Sequence, residues 1–173
     1  MNKLILLFLA VALFIGIPAP KATAQASVTA QAFAEVIAVI TATETSQLNF
    51  GRFSPEEQGG QIHLSPQGVL NATGTLALSN GSHHQASFYI TGQTDATFSI
   101  TLPPGPAILT NIASAKTMTV SAWESEPPAG IGTGVLGGGS LAVNIGATLT
   151  VGSMNDNPVG LYAGTYSITF AYN

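Results

Sequence analysis

The chain has no cysteine among its 173 residues, and few of its side chains are charged. A disulfide framework is therefore excluded, as are a cysteine nucleophile and a lipid-modified cysteine. Strong cations are scarce, with four Lys and Arg against eight Asp and Glu. Binding to nucleic acid or to anionic membrane surfaces depends on clustered Lys and Arg. We therefore expect no nucleic-acid partner.

Long apolar runs are absent except at the N-terminus. Met1–Lys3 carries a positive charge, Leu4–Ile17 is apolar, and Ala22-Thr23-Ala24 has the small-x-small pattern of a cleavage site. The apolar run is shorter than the roughly 20 residues that span a bilayer. The pattern predicts a signal peptide over residues 1–24 that is cleaved. We therefore expect secretion to the periplasm, cell surface or exterior, with no membrane span in residues 25–173.

Helical periodicity is also missing after the leader, and period-two alternation takes its place. The alternation predicts eight or nine short strands, which include segments 61–64, 70–78, 87–91, 96–102, 118–123 and 141–151. Short strands at such spacings are typical of sandwiches and barrels. We therefore expect residues 25–173 to form one all-β domain, an immunoglobulin-like, pilin-like antiparallel β-sandwich. A jelly roll is the alternative.

Four further segments have specific interpretations. Val36–Ile40 is apolar throughout and predicts a strand buried on both faces or facing a partner. Gly92–Asp95 predicts a hairpin loop between its two flanking strands. Glu124–Gly139 is rich in Gly and Pro and predicts a long loop. Gly146, inside an alternating strand, predicts a bend or bulge.

Residues that could carry chemistry are few and scattered. His63, His83 and His84 are the only imidazoles, and a metal site needs three or four converging ligands. Asn155-Asp156-Asn157 lacks the downstream Glu of a calcium loop. No Gly-x-Ser-x-Gly motif is present. We expect no metal, no cofactor and no enzymatic activity; Trp123 is interpreted as packing at a strand end, with stacking on a sugar ring as the alternative.

The segment 163–173 is the strongest candidate for a binding site. Tyr166, Ile168, Phe170 and Tyr172 alternate with small or polar residues and therefore lie on one face of a strand. The segment contains no charged residue and no proline, which are the usual devices that protect a sheet edge. We therefore expect these four residues to mark an edge where a subunit or chaperone binds.

Short segments spread along the chain resemble one known family in their order. They are Leu48-Asn49-Phe50-Gly51, Thr97–Pro103, Met118-Thr119-Val120, Leu149–Gly152, Gly160–Tyr166 and Tyr172-Asn173. Together they resemble the bacterial exported family called domain of unknown function 4402, which is akin to the spore-coat-U and fimbrial subunit families.

The resemblance implies an exported β-sandwich that builds a surface structure. In chaperone–usher pilins, a periplasmic chaperone and then a neighbouring subunit add a strand beside the C-terminal strand. Tyr172 matches the penultimate tyrosine of those subunits. The resemblance thus implies a non-enzymatic structural or adhesive surface subunit, with a periplasmic chaperone or further copies of itself as partners. The alternative is a self-contained monomeric secreted binding module, whose Glu124–Gly139 loop contacts a glycan or protein.

The leader generates a direct prediction. We expect the exported protein to lack Met1–Ala24, because the positive start, apolar core and Ala-x-Ala site are the features that signal peptidases recognise. Intact-mass measurement of secreted material checks this. A mass that includes Met1 would show that the leader is retained.

Overall fold

The structure is a computed structural model that describes residues 24–77 and 81–173. The leader predicted over residues 1–24 therefore lies almost entirely outside the described part. The chain divides into two units, Met1–Glu35 and Val36–Asn173. The described part of the first unit, residues 24–35, has no regular secondary structure. Among the described residues, no helix is long and apolar enough to span a membrane.

The described residues of the second unit form thirteen strands and one short 3₁₀ turn at Gly137–Gly139. The strands are β1 (Thr41–Ser46), β2 (Phe53–Pro55), β3 (Gly60–Leu64), β4 (Leu70–Thr73), β5 (Thr75–Ala77), β6 (Ala86–Thr91), β7 (Thr97–Thr101), β8 (Ala107–Asn111), β9 (Thr117–Glu126), β10 (Gly130–Val135), β11 (Ser140–Val151), β12 (Tyr162–Ala163) and β13 (Thr169–Tyr172).

All of these strands pair antiparallel, in three sheets. The large sheet has the order β1-β6-β11-β9-β8-β12, with β3 added to β11 and β4 added to β3. A second sheet has the order β10-β7-β13, and β2 and β5 form a two-stranded ribbon. The sheets pack as an antiparallel β-sandwich, which confirms the predicted fold class.

The long strand β11 carries two neighbouring hydrophobic cores on one face. The residues of β11 from Ser140 to Ile145 pair with β6, and those from Ala147 to Val151 pair with β3. Gly146 lies between the two pairings, where an added Cβ would come within 3.0 Å of the Leu64 carbonyl oxygen. The pairing of β11 with β9 also shifts register after Gly146, which confirms the irregularity predicted there.

The first core lies under the β3 half of β11 and includes Phe50, Ile62, Leu64, Met118, Val120 and Leu149. The second lies between the large sheet and the β10-β7-β13 sheet. It consists of Ala86, Ile90, Phe98, Ile100, Leu136, Val143 and Ile145. Phe98 and Ile100 are buried while Thr97 and Thr101 are exposed, so the alternation along β7 places its large side chains on the inward face.

The predicted hairpin through Gly92–Asp95 is wrong. Strand β6 pairs with β1 and β11, whereas β7 pairs with β10 and β13. The loop therefore crosses from one sheet to the other. Alternation along a strand determines which face is buried, but two such strands can either pair edge to edge or face each other across a core.

The predicted loop Glu124–Gly139 is also wrong, because it contains the end of β9 and all of β10. Gly134 of β10 pairs with Phe98 of β7. A Cβ on Gly134 would overlap the Phe98 ring. Glycine is therefore needed here to leave space for the aromatic ring, and it does not mark a turn.

Val36–Ile40 forms no strand, contrary to the prediction that it is a strand. Strand β1 begins only at Thr41, where pairing with Thr91 starts. Val36 is 97% exposed and Val39 is 77% exposed. The run has no ladder partner among the described residues, and extended backbone becomes a strand only when a neighbour accepts its hydrogen bonds.

The contact between Gly134 and Phe98 generates a stability prediction. We expect Gly134→Ala to lower the free energy of unfolding by about 1–3 kcal/mol, because the added methyl group overpacks the core. Gly137→Ala is the matched control, since nothing lies within 4 Å of its added Cβ. We expect it to change stability by less than about 0.5 kcal/mol. Urea denaturation checks both, and equal midpoints for the two variants would contradict the packing described here.

Candidate functional site

The four residues predicted to mark a binding edge lie together on one face of the C-terminal segment. Tyr166, Ile168, Phe170 and Tyr172 are half-buried, and the residues between them are exposed. All four pack against the second core. The predicted shared face is therefore correct, and these side chains point toward the protein's own core.

Phe170 is the central contact of this stripe. Its ring lies 5.8 Å from that of Phe88 on β6 and 6.1 Å from that of Phe98 on β7, measured between ring centroids. Both arrangements are tilted or edge-to-face, which suits the ring quadrupoles. Phe170 thus links its own strand, β13, to both layers of the sandwich through these two ring contacts.

Tyr166 occupies the N-terminal end of the stripe and stacks on Trp123 of β9, with 4.7 Å between ring centroids. Its hydroxyl is buried and has no hydrogen-bond partner among the described residues. Burial, and to a lesser degree the charge of Glu44, raises the pKa of Tyr166 to about 12. The phenol is therefore neutral at physiological pH.

Only part of the predicted terminal strand pairs with a neighbour. Residues 169–172 form β13 and pair with β7, while residues 164–168 belong to no ladder. Strand β13 is the last strand in its sheet, so the peptide groups on its outer side have no strand partner among the described residues. The feature open to strand addition is thus the backbone edge of β13, rather than the side-chain stripe.

Tyr172 connects this edge to the apolar run that precedes β1. Its hydroxyl accepts a hydrogen bond from the Gln93 backbone N–H at 2.6 Å and donates one to the Ala38 carbonyl at 3.0 Å. The Ala38 N–H in turn donates to the Gln93 side-chain oxygen at 3.4 Å. Side chains therefore hold both polar groups of one exposed residue in the Val36–Ile40 run.

Gly92 makes this arrangement possible. A Cβ at Gly92 would overlap the Tyr172 hydroxyl. The sequence pattern singles out Tyr172, the run that contains Ala38 and the loop that contains Gln93, but it does not indicate that these three residues meet.

The last residue is fixed to the outer face of β7. The Asn173 side chain accepts a hydrogen bond from the Ser99 hydroxyl and donates one to the Thr97 hydroxyl at 3.1 Å. Both contacts lie at the C-terminal end of β13. They keep that end in register with β7, so the position of the outer edge of β13 is fixed relative to β7.

The other candidate groups are separated or already engaged. His63 contacts Thr148 and lies 4.0 Å from Glu124, and His84 contacts Ser46. Within residues 24–77 and 81–173, no group of three or more potential ligands could hold a metal ion.

Asp156 accepts a hydrogen bond from Ser153 within its own loop. Asn157 is buried, with its amide bonded to Gly152 and Thr117. These side chains shape the loop that precedes β12.

Trp123 borders a shallow hollow in the surface. Its indole N–H donates to the Gly105 carbonyl at 3.1 Å, and the segment Leu102–Pro106 completes the wall. Tyr166 stacks on the indole ring. The predicted packing role of Trp123 thus has two identified contacts, and one of them is a residue of the stripe.

The unpartnered hydroxyl of Tyr166 generates a matched pair of variants. We expect Tyr166→Phe to raise the free energy of unfolding by about 1 kcal/mol, because it removes a buried polar group with no partner. Tyr162→Phe is the control, since that hydroxyl donates to the Pro158 carbonyl at 2.9 Å. We expect it to lower stability by about 1 kcal/mol. Chemical denaturation checks both; a loss of stability in Tyr166→Phe would mean that its hydroxyl is satisfied.

The stability of Tyr166→Phe should also depend on pH differently from that of the parent protein. The folded-state pKa of Tyr166 is raised above the ordinary value of 10.0, so folding favours the neutral phenol. This contribution is complete below pH 10 and disappears as the pH rises through about 12. Tyr166→Phe should therefore lose less stability than the parent protein between pH 10 and 12.

A family model matches most of the chain. The model of the family described as domain of unknown function DUF4402 matches residues 40–172. No curated protein matches the chain. The matched range begins one residue before β1 and ends with the last residue of β13, so it includes every strand of the sandwich. The chain therefore belongs to the domain of unknown function DUF4402 family.

Proposed function

We propose that this protein is a non-enzymatic, exported structural or adhesive subunit of a bacterial surface assembly, and that it joins its neighbours by β-strand addition. The observation that carries the proposal is the outer edge of β13. Among the described residues this strand pairs with β7 alone, and its segment carries no charge or proline to protect the edge.

A segment suited to fill such an edge is present in the same chain. Val36–Ile40 contains no charged residue, and Val36 is almost fully exposed. Exposed contiguous apolar residues are a common feature of protein interaction sites. In strand addition, an exposed sheet edge accepts an extended segment. The outer edge of β13 matches the first role, and the unpaired Val36–Ile40 run matches the second.

The leader predicted from the sequence supports the same proposal. The leader pattern predicts transport out of the cytoplasm, where a surface assembly has to form. The low charge and the absence of cysteine are compatible with a subunit that gains stability from its neighbours. In that case burial and backbone pairing between copies supply what disulfides supply in many small exported domains.

A monomeric secreted binding module is the second candidate. Two observations favour it. The stripe from Tyr166 to Tyr172 packs on the protein's own core, and the Ala38 backbone is bonded within the same chain. The hollow beside Trp123 would then be the place to look for a small ligand.

Peptide binding tests the proposal. We expect a variant that lacks residues 25–40 to bind a synthetic peptide of Gln31–Thr43, and its thermal stability to rise with peptide concentration. Above the dissociation constant, each tenfold increase in peptide should add about 1.4 kcal/mol of stability. The control peptide carries Val36→Asp and Val39→Asp, which place charges where apolar side chains would be buried.

The full-length protein should also form oligomers that grow with concentration, as seen by size-exclusion chromatography and electron microscopy. A full-length protein that stays monomeric, and a truncated variant that ignores the peptide, would support the binding module instead.

A further inference from the structure

The Gln93 side chain and the Tyr172 hydroxyl together form a socket that recognises backbone rather than side chains. One supplies an acceptor for the Ala38 N–H, and the other supplies a donor for the Ala38 carbonyl. Such a pair of bonds imitates the pairing that a neighbouring strand offers. We propose that this socket is the docking point for the Val36–Ile40 run of a second copy of the chain, and that assembly proceeds by exchange of this run between copies.

The socket itself is well fixed. The Tyr172 ring packs against the second core, and its hydroxyl is held by the Gln93 backbone N–H at 2.6 Å. Gly92 leaves the space that this hydroxyl occupies. Thr91, the preceding residue, is paired with both Thr41 of β1 and Ser140 of β11. The socket is therefore anchored to the large sheet and to β13 at once.

Its present occupant is held weakly. Ala38 is exposed, so its two hydrogen bonds compete with water. Val36 is 97% exposed and Val39 is 77% exposed, so both gain little burial in the closed subunit, although Ile40 packs against the second core. From Thr41 onward, by contrast, the chain is fixed in β1 by pairing with β6. The segment able to change partners is thus the run from Ile40 toward the N-terminus.

A second copy is the occupant that fits best. Its Ala38 would make the same two bonds, because the socket contacts only backbone atoms. The socket leaves its Val36 and Val39 exposed, so these side chains would be covered only by the further surface that the second copy brings with it. Exchange therefore preserves the polar contacts of the closed subunit, and any added apolar burial comes from the surface between the two copies. This inference rests on the proposed assembly function and identifies the segment and the contact that carry it.

The absence of native cysteine makes a cross-linking test clean, since every disulfide must come from introduced residues. A ¹⁵N-labelled full-length Ala38→Cys chain is mixed with an unlabelled Gln93→Cys chain, allowed to assemble, and oxidised. Tyr172 remains in both chains to hold the Ala38 carbonyl. The control mixture pairs Ala38→Cys with Lys116→Cys, whose exposed position precedes β9, three strands from β1 in the large sheet.

We expect mass spectrometry to show at least a tenfold excess of the labelled–unlabelled disulfide dimer in the first mixture over the control. Oligomers that form without this cross-link would overturn the socket while leaving the proposed function in place. A protein that forms no oligomers at all would overturn both.

A locked chain provides the complementary measurement. The double variant Ala38→Cys, Gln93→Cys should close its own socket by an internal disulfide when oxidised at high dilution. We expect the oxidised chain to remain monomeric, and the reduced chain, in which Tyr172 alone holds the Ala38 carbonyl, to assemble more readily than the oxidised chain. If the oxidised chain, with its internal disulfide verified by mass, assembles as readily as the reduced one, exchange of the Val36–Ile40 run is not the route of assembly.

Discussion

The fold depends on a single strand that serves both cores. Strand β11 pairs with β6 and then β3 on one edge and with β9 on the other. Its buried residues Val143, Ile145, Ala147, Leu149 and Val151 keep one parity across both pairings. A glycine at 146 allows the chain at Leu64–Pro66 to approach closely at the point where the partner changes. Without that approach, β3 and β6 could not share one edge of β11, and the two cores would not lie side by side against one sheet.

The sequence indicates which side chains share a face of a strand, but it does not indicate which strands pair with each other. The alternation in β7, β11 and the terminal stripe predicts which side chains share a face, because side-chain alternation is a property of each strand alone. Pairing between strands depends on which edges remain free after the core closes. That is why β6 and β7 were interpreted as a hairpin, although they face each other across the second core. Strand β8 was missed because Pro103–Pro106 directly precedes it and Ile108 points to solvent.

Two glycines that suggest a loop or a turn in the sequence have a different role in the structure. At 134 it accommodates the Phe98 ring inside a strand, and at 92 it accommodates the Tyr172 hydroxyl at a strand end. In both cases glycine provides space for a neighbouring side chain, and the conformational freedom that usually marks a turn is not the reason for it. The candidate site was therefore half predictable. The stripe followed from alternation, but Gln93 and Ala38 meet Tyr172 only after the sandwich has folded.

The socket has a further physical consequence for assembly. Because the closed and exchanged states make the same two hydrogen bonds at Ala38, those bonds contribute little to the free-energy difference between them. They must nevertheless break before the run can leave, so they contribute to the barrier. In the proposed assembly, affinity between copies would then come from the apolar surface that the second copy buries, including Val36 and Val39. A subunit built in this way separates the rate of exchange, set at Tyr172 and Gln93, from the stability of the assembly, set by the apolar run.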